Sequence, residues 1–242
     1  MGQSPESRPA KEACPLPSRR TVGCQGWTLH ISERLYDEAP ESLSQALLLL
    51  EEQLQEIIRV VPKNALAELK KVPLWISAEY PRTPPGAEYH PDAGWLKDHG
   101  RDPAMAKGVE FSNVRVFAED MRRMPNFALH ELAHAYHDRV LPDGFDNLKI
   151  RRAYEQAKGS GIYDSVEQRF GDGRSEMRKA YAISTPQEYF AECSEAFFST
   201  NDFFPFTREQ LRQHDPAMTD LLAELWGVAA ADTPVARVPI ED

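Results

Sequence analysis

Residues 127–136 read Phe127-Ala128-Leu129-His130-Glu131-Leu132-Ala133-His134-Ala135-Tyr136. On an α-helix, positions four apart share a face one turn apart. His130 and His134 therefore aim two imidazoles at one point, the arrangement that binds zinc. Glu131, beside the first histidine, is the residue that can take a proton from water held there. Zinc brings the pKa of such a water near neutrality, and a carboxylate then serves as general base during attack on a carbonyl. The remaining residues of the stretch are apolar. Two histidines and a glutamate in a helix bound for the interior are costly unless paired or metal-bound. The plainer alternative is a core helix with hydrogen-bonded histidines. The pattern predicts a helix over 125–140, with Pro125 in its first turn.

A catalytic zinc takes three protein ligands and keeps a fourth position open. A third ligand within the same motif would need Gly at 137 and His at 140, but the chain has His137 and Val140. His137 is read as a surface histidine or a support to the ligands. The better source is a later predicted helix from Thr185-Pro186 to about Ser199. There Glu188, Glu192 and Glu195 lie on one stripe, beside an apolar stripe of Phe190, Cys193 and Phe197. Packing on the Phe face would aim Glu188 at the metal, with Glu192 one turn on to hydrogen-bond a ligand imidazole. Thr185-x-x-Glu188 also fits a helix capping box. On that alternative Glu188 bonds backbone amides and Glu192 is the ligand.

Outward from these helices, the fold class is α+β. Trp27–Ile31 and Val72–Ala78 read as strands, and Val109–Phe117 alternates like a half-exposed strand. Leu43, Ala46, Leu47, Leu50, Leu54, Ile57, Ile58 and Val61 mark an amphipathic helix. Residues 80–107, with five Pro and three Gly, form the longest irregular stretch, as functional loops often do. Its Tyr89-His90 pair could touch substrate, but is read as facing solvent. A short helix is expected around 147–158, then a Gly-rich stretch, and helices near 207–213 and 216–227. Residues 1–24 read as a disordered leader or linker, 25–229 as the domain, and 230–242 as a frayed tail.

The 28 basic and 38 acidic residues leave a formal charge of −10. With no long Lys/Arg run, the charge argues against nucleic acid or an anionic membrane as the main partner. No apolar stretch is long enough to span a bilayer. The opening Met-Gly-Gln-Ser-Pro-Glu lacks the apolar core of a signal peptide, so localisation stays open. Three cysteines, Cys14, Cys24 and Cys193, do not make a disulfide framework. A Cys14–Cys24 bridge is compatible with export, and Cys193 reads as a buried thiol.

Two blocks, His130-Glu131-x-x-His134 and Tyr181-Ala-Ile-Ser-Thr-Pro-Gln-Glu188-Tyr-Phe-Ala-Glu192, resemble the gluzincin metallopeptidases, in the form of the catalytic domain of anthrax lethal factor. That family has Tyr, a Glu seven residues later, then Phe-Phe-Ala-Glu. The resemblance covers roughly residues 70–225, and the His134–Glu188 interval is longer here. It implies a zincin-like fold: a small twisted sheet packed on the His130–His134 helix, with a mostly helical C-terminal half. It implies Zn2+ as cofactor, Glu188 as third ligand, Glu192 as a carboxylate supporting a ligand, and Tyr181 as the hydroxyl that steadies an oxyanion. It implies an endopeptidase acting on a peptide or protein, with the 109–117 strand as the edge that pairs with extended substrate. Secreted relatives make export an expectation of the resemblance alone. Two other functions stay open: a catalytically silent zinc-binding or protein-binding module, and a structural domain without metal. Substrate and oligomeric state are not set by the sequence.

Overall fold

The computed structural model describes residues 18–228. The strands are β1 (Arg19–Cys24), β2 (Trp27–Ser32), β3 (Leu74–Ile76), β4 (Ala87–Tyr89), β5 (Val109–Phe111), β6 (Val166–Arg169) and β7 (Ser175–Arg178). The helices are α1 (Glu33–Glu38), α2 (Pro40–Val60), α3 (Lys63–Leu69), α4 (Ala93–Asp98), α5 (Phe117–Arg123), α6 (Phe127–Arg139), α7 (Leu148–Ser160), α8 (Pro186–Phe198), α9 (Arg208–His214) and α10 (Pro216–Trp226). The class is α+β. A five-stranded mixed sheet of order β1-β2-β3-β5-β4 occupies the N-terminal half, and a β6–β7 hairpin interrupts a helical C-terminal half. No helix among the described residues is long and apolar enough to cross a membrane.

The sheet's parallel centre, β2-β3-β5, is buried: Leu74, Val109 and Phe111 have no exposed surface. β2 buries Trp27, Leu29 and Ile31, the alternate residues of a strand covered on one face. Beneath it, α2 turns Leu43, Ala46, Leu50, Leu54 and Ile57 inward at helical spacing. α2 also fixes α6. Gln53 Oε1 accepts from Ala128 N (2.9 Å), and Gln53 O accepts from Asn126 Nδ2 (3.2 Å). Asn126 Oδ1 caps the helix through Leu129 N (3.0 Å). These bonds satisfy amides that a helix start leaves unpaired, so α6 enters the core without stranded donors. From there α6 runs against β4 and β5 on one side and α8 on the other.

Three expectations change. The supposed leader through residue 24 is ordered from 19 onward: Arg19–Cys24 pairs antiparallel with Trp27–Ser32. The 109–117 strand stops at Phe111. Asn113 O accepts from Val116 N in a turn, and α5 starts at Phe117. β5 is thus interior and fully buried, not a half-exposed edge. The edge strand beside β5 is β4, which arises within the stretch read as an irregular loop. Residues 1–17 and 229–242, with Cys14 and its pairing and the C-terminal tail, lie outside the described residues.

Candidate metal centre and cleft

α6 places His130 and His134 one turn apart, and α8 brings Glu188 to them. His130 Nε2 lies 3.2 Å from His134 Nε2 and 3.2 Å from Glu188 Oε2, and His134 Nε2 lies 3.3 Å from the same oxygen. Thr185 Oγ1 accepts from Glu188 N (3.1 Å), with Pro186 in the first turn. Thr185 therefore caps α8 while the Glu188 carboxylate turns to the imidazoles. Capping and metal ligation are not alternatives at this position.

The donor chemistry and the spacing both suit a metal ion. Three corners of a tetrahedron with bonds of about 2.0 Å stand about 3.3 Å apart. Three atoms with lone pairs cannot crowd at that distance without a proton or a cation among them. Without metal that role falls to protons. Burial disfavours charge on His130, but the Glu188 and Glu195 carboxylates outweigh it and hold the imidazole well above its usual pKa. Burial pushes the Glu188 carboxyl up, but hydrogen bonds to His130 and His134 prevail and hold it well below the usual range.

The far nitrogen of His130 meets an unexpected partner. Nδ1 lies 2.8 Å from Glu195 Oε2 and 3.8 Å from Glu192 Oε1. The carboxylate that orients the imidazole is thus Glu195, not Glu192. A proton on Nδ1, donated to Glu195, leaves the Nε2 lone pair facing Glu188. Glu192 instead accepts from Asn201 Nδ2 (3.0 Å). Neither does Glu192 take the third ligand position, since its approach to His130 is on the Nδ1 side. Both carboxyls are buried, and burial raises both pKa values despite His130 nearby. The sequence stripe contained Glu195, but its spacing alone did not say which of the two acids met the ring.

Glu131 is partly buried and is tied to the sheet edge: its Oε2 accepts from Tyr89 N (2.7 Å). Burial raises its pKa, and the facing histidines and the Tyr89 amide offset only part of that rise. Tyr89 is doubly anchored to α6, since its hydroxyl donates to Asp138 Oδ2 (2.6 Å). Tyr89 and His90 are both buried, contrary to the solvent-facing reading. His137 is also buried rather than superficial, packed against Phe145 and Phe190, with neither ring nitrogen hydrogen-bonded. Burial, and then His134, lower its pKa to about 4, so it is a neutral core residue.

These groups open onto a cleft of about 670 Å³, bordered by β4, α5, α6, the β6–β7 hairpin and the start of α8. Tyr181 stands in it, half exposed, in a short 3-10 turn before α8. Burial raises its phenol pKa, and the nearby Glu188 adds to the rise. It is therefore a protonated hydrogen-bond donor at neutral pH. Ser112 N donates to Gly86 O (2.8 Å) and His90 N donates to Gly108 O (3.0 Å). Even-numbered residues of the β4 segment thus face β5, and Ala87 and Tyr89 turn their backbone groups to the free edge.

Among the described residues, two other His/Glu groupings have ligand atoms within reach of one another. One is His130, Glu192 and Glu195, which is the far side of the site just described. The other is Glu88, His90 and Glu110, where Arg101 Nη1 contacts both Glu88 and Glu110. A guanidinium already occupies that position. Comparison of the chain with protein-family models, curated proteins and solved structures gives no match.

Proposed function

We propose that this protein is a zinc-dependent endopeptidase, with His130, His134 and Glu188 as ligands, Glu131 as general base and Tyr181 as oxyanion stabiliser. The observation that carries the reading is the triangle of 3.2, 3.2 and 3.3 Å between the three ligand atoms. Two imidazoles and one carboxylate, with a cleft beside them, suit zinc in a catalytic setting, where one position stays open. When bound there, zinc supplies Lewis acidity and a water of near-neutral pKa.

The chain's own groups would do the rest. Glu195 holds His130 in the tautomer that offers Nε2. The Tyr89 amide fixes one oxygen of Glu131 and leaves the other to take a proton from water and pass it to the leaving nitrogen. Its raised pKa brings it closer to neutrality, where proton transfer in both directions is efficient. The Tyr181 hydroxyl can donate a hydrogen bond to an oxygen as negative charge develops on it. The free backbone groups of Ala87 on β4 suit an extended peptide, which adds as a further strand.

The test is cleavage of a peptide library by the wild type and Glu131→Gln, with metal content measured on both. Glu131→Gln should keep its zinc and lose about 10²–10⁴-fold in kcat. Undiminished cleavage in that variant would remove Glu131 from its role. A zinc-loaded wild type that cleaves nothing would instead favour a binding module.

A further inference from the structure

Among the described residues, two cations line the cleft of this acidic protein, Arg123 at the end of α5 and Arg178 at the end of β7. A buried polar relay joins them. Arg178 Nη1 donates to Gln168 Oε1 (3.5 Å), and Gln168 Nε2 donates to Asp202 Oδ2 (3.2 Å). The same Asp202 oxygen accepts from Arg123 Nη1 (3.0 Å). Asp202 is 2% exposed and Gln168 7%, so the relay is part of the packed wall. The two guanidinium side chains remain 40% and 55% exposed. Asp202 uses one donor atom of Arg123, and Arg178 spends its Nε on Glu176, itself about half exposed (3.1 Å). Each fork therefore keeps donors for a ligand. Gly171, at the hairpin tip, fixes the spacing further. An added Cβ there would lie 3.1 Å from Arg122 Cβ and Arg123 N, so the hairpin seats directly on α5.

We propose that Arg123 and Arg178 form a carboxylate-recognising subsite of the cleft, selecting peptides that carry a carboxylate near the bond to be cleaved. This deepens the peptidase reading and rests on it for the identity of the ligand as a peptide. The arrangement suits a planar, two-oxygen anion, because guanidinium donors meet carboxylates as a fork. That carboxylate has two sources, an Asp or Glu side chain within the chain or the C-terminus of the peptide.

Peptide binding to the zinc-loaded, full-length Glu131→Gln protein, read by fluorescence anisotropy, tests this without any turnover. Three probe sets share one neutral sequence: capped at both ends, capped with a single Glu scanned along it, and uncapped only at the C-terminus. A carboxylate in one register should tighten binding by about tenfold, the scale of a charge-assisted hydrogen bond. Arg178→Gln should abolish that gain. Arg123→Gln should do the same, but it also unpairs buried Asp202, so the exposed Arg178 gives the cleaner variant. A gain with scanned Glu identifies an internal acid, and a gain with the free terminus alone identifies a chain end. Equal binding of all three sets, or a preference that survives Arg178→Gln, would overturn the subsite. A zinc-loaded wild type that cleaves nothing would count against the peptidase and leave this binding result standing.

Discussion

Two of the His/Glu groupings among the described residues, Glu88–His90–Glu110 and His130–His134–Glu188, have similar composition and differ in what neutralises them. In the first, Arg101 bridges both carboxylates, Tyr80 donates to Glu110 (2.6 Å) and His90 lies 2.9 Å from it. Burial pushes the Glu110 carboxyl up, but hydrogen bonds with His90, Ser77 and Tyr80 prevail and lower it. In the second no Lys or Arg among the described residues pairs with Glu188, and two imidazole nitrogens face each other at 3.2 Å. A buried acid with a built-in cation is a structural ion pair. A partly buried acid whose neighbours are imidazoles, protonated when no metal is bound, can exchange that proton for a cation from outside. The first grouping joins β4 to β5, and the second waits on metal or protons.

The largest effect expected from separating them is on stability. Arg101→Met leaves Glu110 buried without its guanidinium and should lower the unfolding free energy by about 3–5 kcal/mol. Denaturant unfolding measures the loss, and zinc content should not change. Zinc binding that disappeared with Arg101 would merge the two sites. Next comes Glu195→Gln, which weakens the hold on His130 Nδ1. Zinc affinity by competition with a chelator should fall about 10–100-fold. Glu192→Gln should change it less, since Glu192 bonds Asn201. Equal losses from both would return the orienting role to the pair.

The smallest effect is on pH dependence. The raised pKa of His130 means that, without metal, its ion pairing stabilises the fold fully below its unfolded pKa, about 6.5. That contribution is lost as pH rises through the folded value. The depressed Glu188 carboxyl contributes above its own unfolded pKa, near 4.5, and so stays constant over this window. Zinc competes with the His130 proton, so its stabilising effect should grow from pH 6 to pH 8. The gap in Tm between zinc-loaded and metal-free protein should widen by about 3 °C or more, roughly 1 kcal/mol in a domain of this size. A gap that narrowed would contradict the protonation of His130.

The same two regions differ in how much of them the sequence revealed. His130, His134 and Glu188 were legible because helical spacing converts directly into a shared face, and Thr185-Pro186 marks a helix start. Glu195 was harder. It lies on the same stripe as Glu192, and which acid meets the imidazole depends on how α6 crosses α8, which no local pattern encodes. The edge strand was hidden for another reason. Ala87–Tyr89 is three residues long inside a Pro- and Gly-rich stretch, too short to show alternation. The apparent strand at 109–117 alternates on either side of Ser112 and Asn113, but those two consecutive polar residues shift its phase, and there the chain in fact turns. β1 exposes four of its six residues, so it carries no apolar signal at all. The helices α2, α7, α8, α9 and α10 fell within a few residues of their expected bounds, because each has a clear apolar face or a capping residue.

Elemental analysis of gently purified protein, repeated on His134→Ala, addresses the centre of this account most directly. One zinc per wild-type chain, absent from His134→Ala, is the expected result. A wild type that takes up no zinc even on reconstitution, or zinc retained in full by His134→Ala, would contradict it.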